Sequence, residues 1–181
     1  MLNINFDKFK SYYADGKNQI LYLSVKTDGD KEIKNLINNF LVEKNSFIFE
    51  SVEKGFIKGR YTIFGSNPDK IWQFNQNKCS LYHDKRKINL NGKPKENIEK
   101  IIQEFNFEIP KKLPPISSLI SGYFSYDIIR YIEKVPNSTQ NDLGIPDARI
   151  MRPRNLIVHD NIEKKLFFIV NVFKDEKIKN I

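Results

Sequence analysis

One cysteine, two histidines and one tryptophan in 181 residues leave most familiar site chemistry without its raw material. A lone Cys79 cannot close an internal disulfide, nothing in the pattern suggests an oxidising compartment, and the side chain reads as a small apolar filler. His83 and His159 each fall on a segment with strand character and have no second ligand at metal spacing, so both read as packed strand histidines. There is no glycine-rich phosphate loop, no Cys/His metal spacing and no Ser/His/Asp constellation. No catalytic residue and no metal ligand is therefore assigned. Long apolar runs are also missing: no stretch approaches eighteen apolar residues, and the N-terminus Met1-Leu-Asn-Ile-Asn-Phe-Asp-Lys-Phe-Lys10 has neither a continuous apolar region nor a small-residue cleavage site. The expectation is a cytoplasmic, soluble protein with no membrane partner.

What is present is ordinary globular material with a basic balance. Apolar residues make up 40%, aromatics 13% and charged residues 29%, which argues against disorder. A chain of this length can form one domain that buries roughly 70% of the surface its unfolded form exposes. The net charge of +8 invites a nucleic-acid reading. Its distribution argues otherwise: lysines are scattered among acids and asparagines, and the densest runs, Lys85-Arg-Lys87 and Lys111-Lys112, are short. No nucleic-acid partner is expected.

Read in order, residues 6–17 look like a short polar lead-in, and Gln19 to Val25 has the length and composition of a strand. Ile33, Leu36, Ile37, Phe40 and Leu41 then recur at helical spacing, with Asp28 or Asp30 available as a cap. Lys70–Asn75, Cys79–Asp84 and a short piece after Ile88 read as an antiparallel meander in which Trp72 is a packing residue. Pro94 opens a second helix striped by Ile98, Ile101, Ile102 and Phe105. A strand from Ser118 runs into a third helix, which Asp127 can cap and on which Arg130 and Glu133 form an i, i+3 pair. Arg149–Asp160 and Lys165–Phe173 read as a hairpin across a short Asn-Ile-Glu-Lys turn. The predicted fold is α+β: antiparallel β-sheets, sandwich-like, with covering helices near 30–43, 95–106 and 126–133.

One stretch breaks this pattern. From Ser46 to Val52 the side chains alternate, so Phe47, Phe49 and Ser51 share one face while Ile48, Glu50 and Val52 share the other. Glu50 and Ser51 thus fall among residues that expect burial, and an isolated buried carboxylate is costly, so a cation should meet Glu50. Arg60, at the head of the next apolar run, is the nearest candidate. The spacing allows two arrangements. Glu50, Ser51 and Arg60 can satisfy one another, or they can receive a zwitterion, with its ammonium on Glu50 and Ser51 and its carboxylate on the planar fork of Arg60.

The run Phe47-Ile-Phe-Glu-Ser-Val-Glu-Lys-Gly55, followed by Gly59-Arg-Tyr-Thr-Ile-Phe-Gly65 and Asn67-Pro-Asp-Lys-Ile-Trp72, resembles the N-terminal region of anthranilate synthase component I. Two further blocks resemble the same family in the same order. One carries Gly122, Tyr123, Tyr126, Asp127, Arg130 and Glu133; the other is Leu143-Gly-Ile-Pro-Asp147. The sequence departs from the family at Gly29-Asp-Lys-Glu32, where a helix-opening proline is common, and at Ser125, where glycine is frequent. In that family the glutamate-serine pair lines the pocket for feedback-inhibiting L-tryptophan, so the resemblance implies tryptophan binding at Glu50 and Ser51. Arg60 joins them by strand position.

The resemblance further implies that residues 1–181 are a single N-terminal regulatory and structural domain. The domain would pack on its own catalytic domain, which is absent here. The whole enzyme would convert chorismate and ammonia to anthranilate and pyruvate in tryptophan biosynthesis. A glutamine amidotransferase subunit (component II) would supply the ammonia. Mg2+ would belong to the absent half, with no cofactor in this fragment and no catalysis by it alone. Two alternatives stand beside this: the N-terminal domain of aminodeoxychorismate synthase component I, of folate synthesis, and a stand-alone amino-acid-binding module.

Overall fold

The computed structural model describes residues 2–27, 30–40, 42–50, 59–105, 107–136 and 143–176, without the side chains of 30–32. Its elements are α1 (Phe6–Ala14), β1 (Gln19–Lys26), α2 (Asp30–Phe40), β2 (Phe47–Glu50), β3 (Tyr61–Asn75), β4 (Lys78–His83), β5 (Arg86–Leu90), α3 (Pro94–Glu104), β6 (Ser121–Phe124), a 3-10 helix (Tyr126–Tyr131), β7 (Ala148–Asp160) and β8 (Lys165–Val172). Hydrogen-bonded strands follow the order β1-β8-β7-β3-β4-β5, with β2 on β3 and β6 on β7. The pairs with assigned register are antiparallel. This is the α+β, antiparallel class the sequence predicts.

The chain divides into two compact units. One comprises residues 1–68, 107–119 and 153–181; the other comprises 69–106 and 120–152. Both long strands change unit at a proline, β3 at Pro68 and β7 at Pro153. A proline donates no ladder hydrogen bond, and Asn67 before the first has a positive φ of 50°. The sequence reads the apolar run 60–65 and the strand 70–75 as separate pieces. The structure runs one fifteen-residue strand from one into the other.

In the first unit, alternation sorts the strand residues onto two faces. Phe167 and Ile169 of β8 join Ile20, Leu156 and Val158 in one core cluster, onto which Phe107, Ile109, Leu113 and Ile116 pack. Leu166 and Phe168 face the other way, with Phe64 and the stripe Ile33, Leu36, Ile37 and Phe40 of α2. Each such side chain contributes about 1.5–3 kcal/mol when fully buried. The stripe is the sequence-predicted one, except that Leu41 and Asp28 lie outside the described residues, as does the side chain of Asp30. A helix the sequence does not predict, α1, replaces the polar lead-in. Asn5 caps it by accepting from the Lys8 N–H at 2.9 Å, and Phe6, Phe9 and Tyr13 stack along one side at 6.5 and 6.3 Å. None of its residues is buried, which is why no core stripe announces it.

In the second unit β3, β4 and β5 form the expected meander. Trp72, Phe74 and Cys79 pack with Ala148 and Ile150 of β7 and Ile101 of α3. Ile98 also packs here, whereas Ile102 is largely exposed, so the α3 stripe is narrower than its composition suggests. The third predicted helix is a six-residue 3-10 turn, closed by i to i−3 bonds from Ile128 to Ser125 and from Ile132 to Ile129. Arg130 does not reach Glu133. Its Nε donates to Asp127 at 3.0 Å, and its Nη1 donates to the carbonyls of Val135 and Pro136, tying down the chain that leaves the turn.

Candidate functional site

Glu50, the last described residue of β2, lies opposite Thr62 of β3. The inward contacts of β2 come from Phe47 and Ile48, which reach the two clusters of the first unit. By Phe49, 47% exposed, the strand has run past both, and Glu50 is exposed as well. The expected burial of Glu50 is therefore corrected: alternation assigns a face but does not ensure that the face is covered, and Glu50 is exposed. Among the described residues no cation stands within ion-pair distance of Glu50, and Arg60 is committed elsewhere. Ser51 lies outside the described residues.

Arg60, immediately before β3, is fastened to the end of β7. Its Nε and Nη2 both donate to Asp160 Oδ2, at 3.0 and 2.7 Å. Asp160 Oδ1 accepts from the backbone N–H groups of Ile162 and Glu163, each at 3.0 Å, in the turn that leads to β8. The backbone is fastened too: the Asn161 N–H donates to the Arg60 carbonyl at 2.8 Å, and Asn161 Nδ2 donates to the Gly59 carbonyl at 3.0 Å. Asp160 is 1% exposed, and that burial opposes its ionisation. The hydrogen bonds from Arg60, Glu163 and Ile162 outweigh it and hold the carboxyl below the usual aspartate range. The same hydrogen bond raises the Arg60 guanidinium above its ordinary value. Arg60 also lies 5.0 Å from the centre of the Tyr61 ring, and Nη2 is 3.5 Å from Glu163 Oε1.

The internal ion pair is thus real but has a different acid. Asp160, Asn161 and Glu163 are the residues that sequence reasoning misses. The signal available was an Asp-Asn-x-Glu turn at a strand end, where a side chain that accepts from the following backbone N–H groups is common. Nothing local connects it to an arginine 100 positions earlier. Among the described residues no group of three or more His, Cys, Asp or Glu side chains is placed to hold a metal ion. Two apolar recesses, of about 360 Å³ beside α2 and about 290 Å³ beside α3, include neither Glu50 nor Arg60. Among the described residues no helix is long and apolar enough to cross a membrane.

Known proteins similar to this chain include bacterial and plant anthranilate synthase subunits. The chain is 34% identical over 164 residues to anthranilate synthase component 1 of Cereibacter sphaeroides, which covers 88% of this chain and 33% of that protein. It is 31% identical over 145 residues to the same component of Acetivibrio thermocellus, covering 80% of this chain and 29% of that one. It is 29% identical over 192 residues to the chloroplastic anthranilate synthase alpha subunit 2 of Arabidopsis thaliana, covering 96% and 31%. No protein-family model matches the chain. The chain is a homologue of anthranilate synthase component 1, corresponding to its N-terminal part. It spans about a third of the length of the curated relatives it matches.

Proposed function

We propose that this chain serves as the N-terminal regulatory and structural domain of an anthranilate synthase component 1 and carries part of its feedback tryptophan site. The observation that carries the reading is the homology over 88% of the chain to a protein of that name. On this reading the complete enzyme makes anthranilate and pyruvate from chorismate and ammonia in the cytoplasm, and a glutamine amidotransferase subunit delivers the ammonia. The catalytic residues and Mg2+ belong to the part of the enzyme outside this chain.

Glu50 and Ser51 hold the tryptophan ammonium and Arg60 its carboxylate. Glu50 supports this by being exposed, so that a ligand can reach its carboxylate. An indole that buries about 150–250 Å² gains roughly 4–6 kcal/mol gross. Ordering costs of association are of similar size, so the charge-assisted contacts supply the surplus and the specificity.

The test is to express the complete reading frame that encodes this chain, supply chorismate, Mg2+ and ammonia, and follow anthranilate fluorescence with and without L-tryptophan. Anthranilate formation suppressed by tryptophan, with suppression lost in Ser51→Phe, is the expected result. Suppression that survives Ser51→Phe overturns the site. An aminated chorismate product in place of anthranilate moves the protein to aminodeoxychorismate synthesis.

A further inference from the structure

We propose that Asp160 is a positioning residue that aims Arg60 at the inhibitor, and that Glu163 is the group a bound carboxylate displaces; this rests on the assignment of Arg60 to the tryptophan carboxylate. A guanidinium presents five N–H donors in one plane. Asp160 Oδ2 takes the Nε proton and one Nη2 proton, which occupies the side edge of the fork. Among the described residues no acceptor takes the Nη1 protons or the second Nη2 proton, and one proton from each of these two nitrogens forms the end edge, which suits a carboxylate approaching head-on with two parallel bonds.

The two acids beside Arg60 are not equivalent. Asp160 is buried and accepts four hydrogen bonds, so exchanging it for a ligand would strand a charge away from water. Glu163 is about half exposed, stands 3.5 Å from Nη2, beyond good hydrogen-bond length, and is bonded to Lys165 Nζ at 2.8 Å. A ligand carboxylate at the end edge therefore replaces the loose contact and leaves the buried one intact. Asn161 holds the backbone of Gly59 and Arg60 from the same turn, so the direction of the fork is set by residues 160–163 as a group.

This arrangement predicts shifts of opposite sign, which a merely structural role for the turn does not. In the complete enzyme, with each variant measured against its own uninhibited rate, Asp160→Asn should raise the tryptophan concentration for half-inhibition about tenfold, the scale of one charge-assisted contact. Glu163→Gln removes the competing charge from an exposed position and should lower that concentration about two- to threefold. If Asp160→Asn fails to fold, Glu163→Gln decides alone. Inhibition that disappears with Ser51→Phe yet is unchanged in Glu163→Gln, and in Asp160→Asn where it folds, overturns this inference and leaves the tryptophan site standing. An unaltered enzyme that tryptophan does not inhibit removes the site, and this inference with it.

Discussion

The ring of Phe47 fills the space that a side chain on Gly65 would need. The two residues are directly opposed in the β2–β3 ladder, and a Cβ built on Gly65 would stand 2.2 Å from Cε1 and Cζ of that ring. Phe47 is held in turn against Phe49, with ring centres 4.7 Å apart, and against the core cluster of Ile20, Leu156 and Val158. Gly65→Ala must therefore expel a ring that the core uses. The expected cost is about 1–3 kcal/mol, the range for overpacking, read as a lower urea midpoint. In a Phe47→Leu background the same substitution should cost about 1 kcal/mol less, because the opposing group is smaller. An additive double variant would show that the two residues are not coupled.

Much of this fold is written in local pattern. The stripe Ile33, Leu36, Ile37 and Phe40 and the meander around Trp72 are found where periodicity places them. The elements that escape are those whose causes are not periodic. The helix α1 depends on one cap and a stack of aromatic rings without burial, and the unbroken β3 depends on a ladder that resumes after Asn67-Pro68. The candidate site divides in the same way. Its motif residues can be named from the sequence, but the acid that binds Arg60 cannot, because Asp160, at the end of β7, meets it only when β7 lies beside β3.

Asp69 and Arg152 form a buried ion pair inside the other unit. Arg152 donates through Nε at 2.9 Å to Oδ1 and through Nη2 to Oδ2 of Asp69, whose side chain is fully buried, while that of Arg152 is 12% exposed. Removing one partner strands the other, so Arg152→Met should cost about 3–5 kcal/mol by chemical denaturation. Replacing both, as Asp69→Leu with Arg152→Met, should recover most of that loss, because an apolar pair of similar volume carries no desolvation penalty. A double variant as unstable as the single one would mean that the pair supplies more than charge compensation.

Cys79 is 2% exposed, and burial alone pushes its thiol up to about 11. At pH 8 the thiolate fraction is then on the order of one in a thousand, against roughly a quarter for an ordinary cysteine. The native protein should leave Ellman's reagent almost unreacted over minutes, while the urea-unfolded chain should release one equivalent of product at once. Rapid labelling of the native protein would contradict both the burial and the raised thiol.

The depressed carboxyl of Asp160 fixes the direction in which acid acts on this domain. A carboxyl whose folded pKa lies below its unfolded value, about 3.9 for aspartate, releases its proton more readily in the native state. The unfolded chain therefore binds the proton first as the pH falls. The stability that Asp160 contributes is complete above its unfolded value and is gone once the pH has dropped through the lower folded value. Arg60 remains protonated throughout and cannot share the titration. Asp160→Asn should therefore be less stable than the wild type near neutrality, by about 1.5–3 kcal/mol for the lost charge-assisted bonds. The difference should shrink as the pH falls below about 4 and close near the bottom of the native range. Other acids, Asp69 among them, can make both proteins acid-labile, so the informative quantity is the difference between two urea midpoints measured at each pH. A difference that stays constant from neutral to acid would show that the ionised carboxylate is not what stabilises this corner of the fold, and that the four hydrogen bonds at Asp160 act through shape alone.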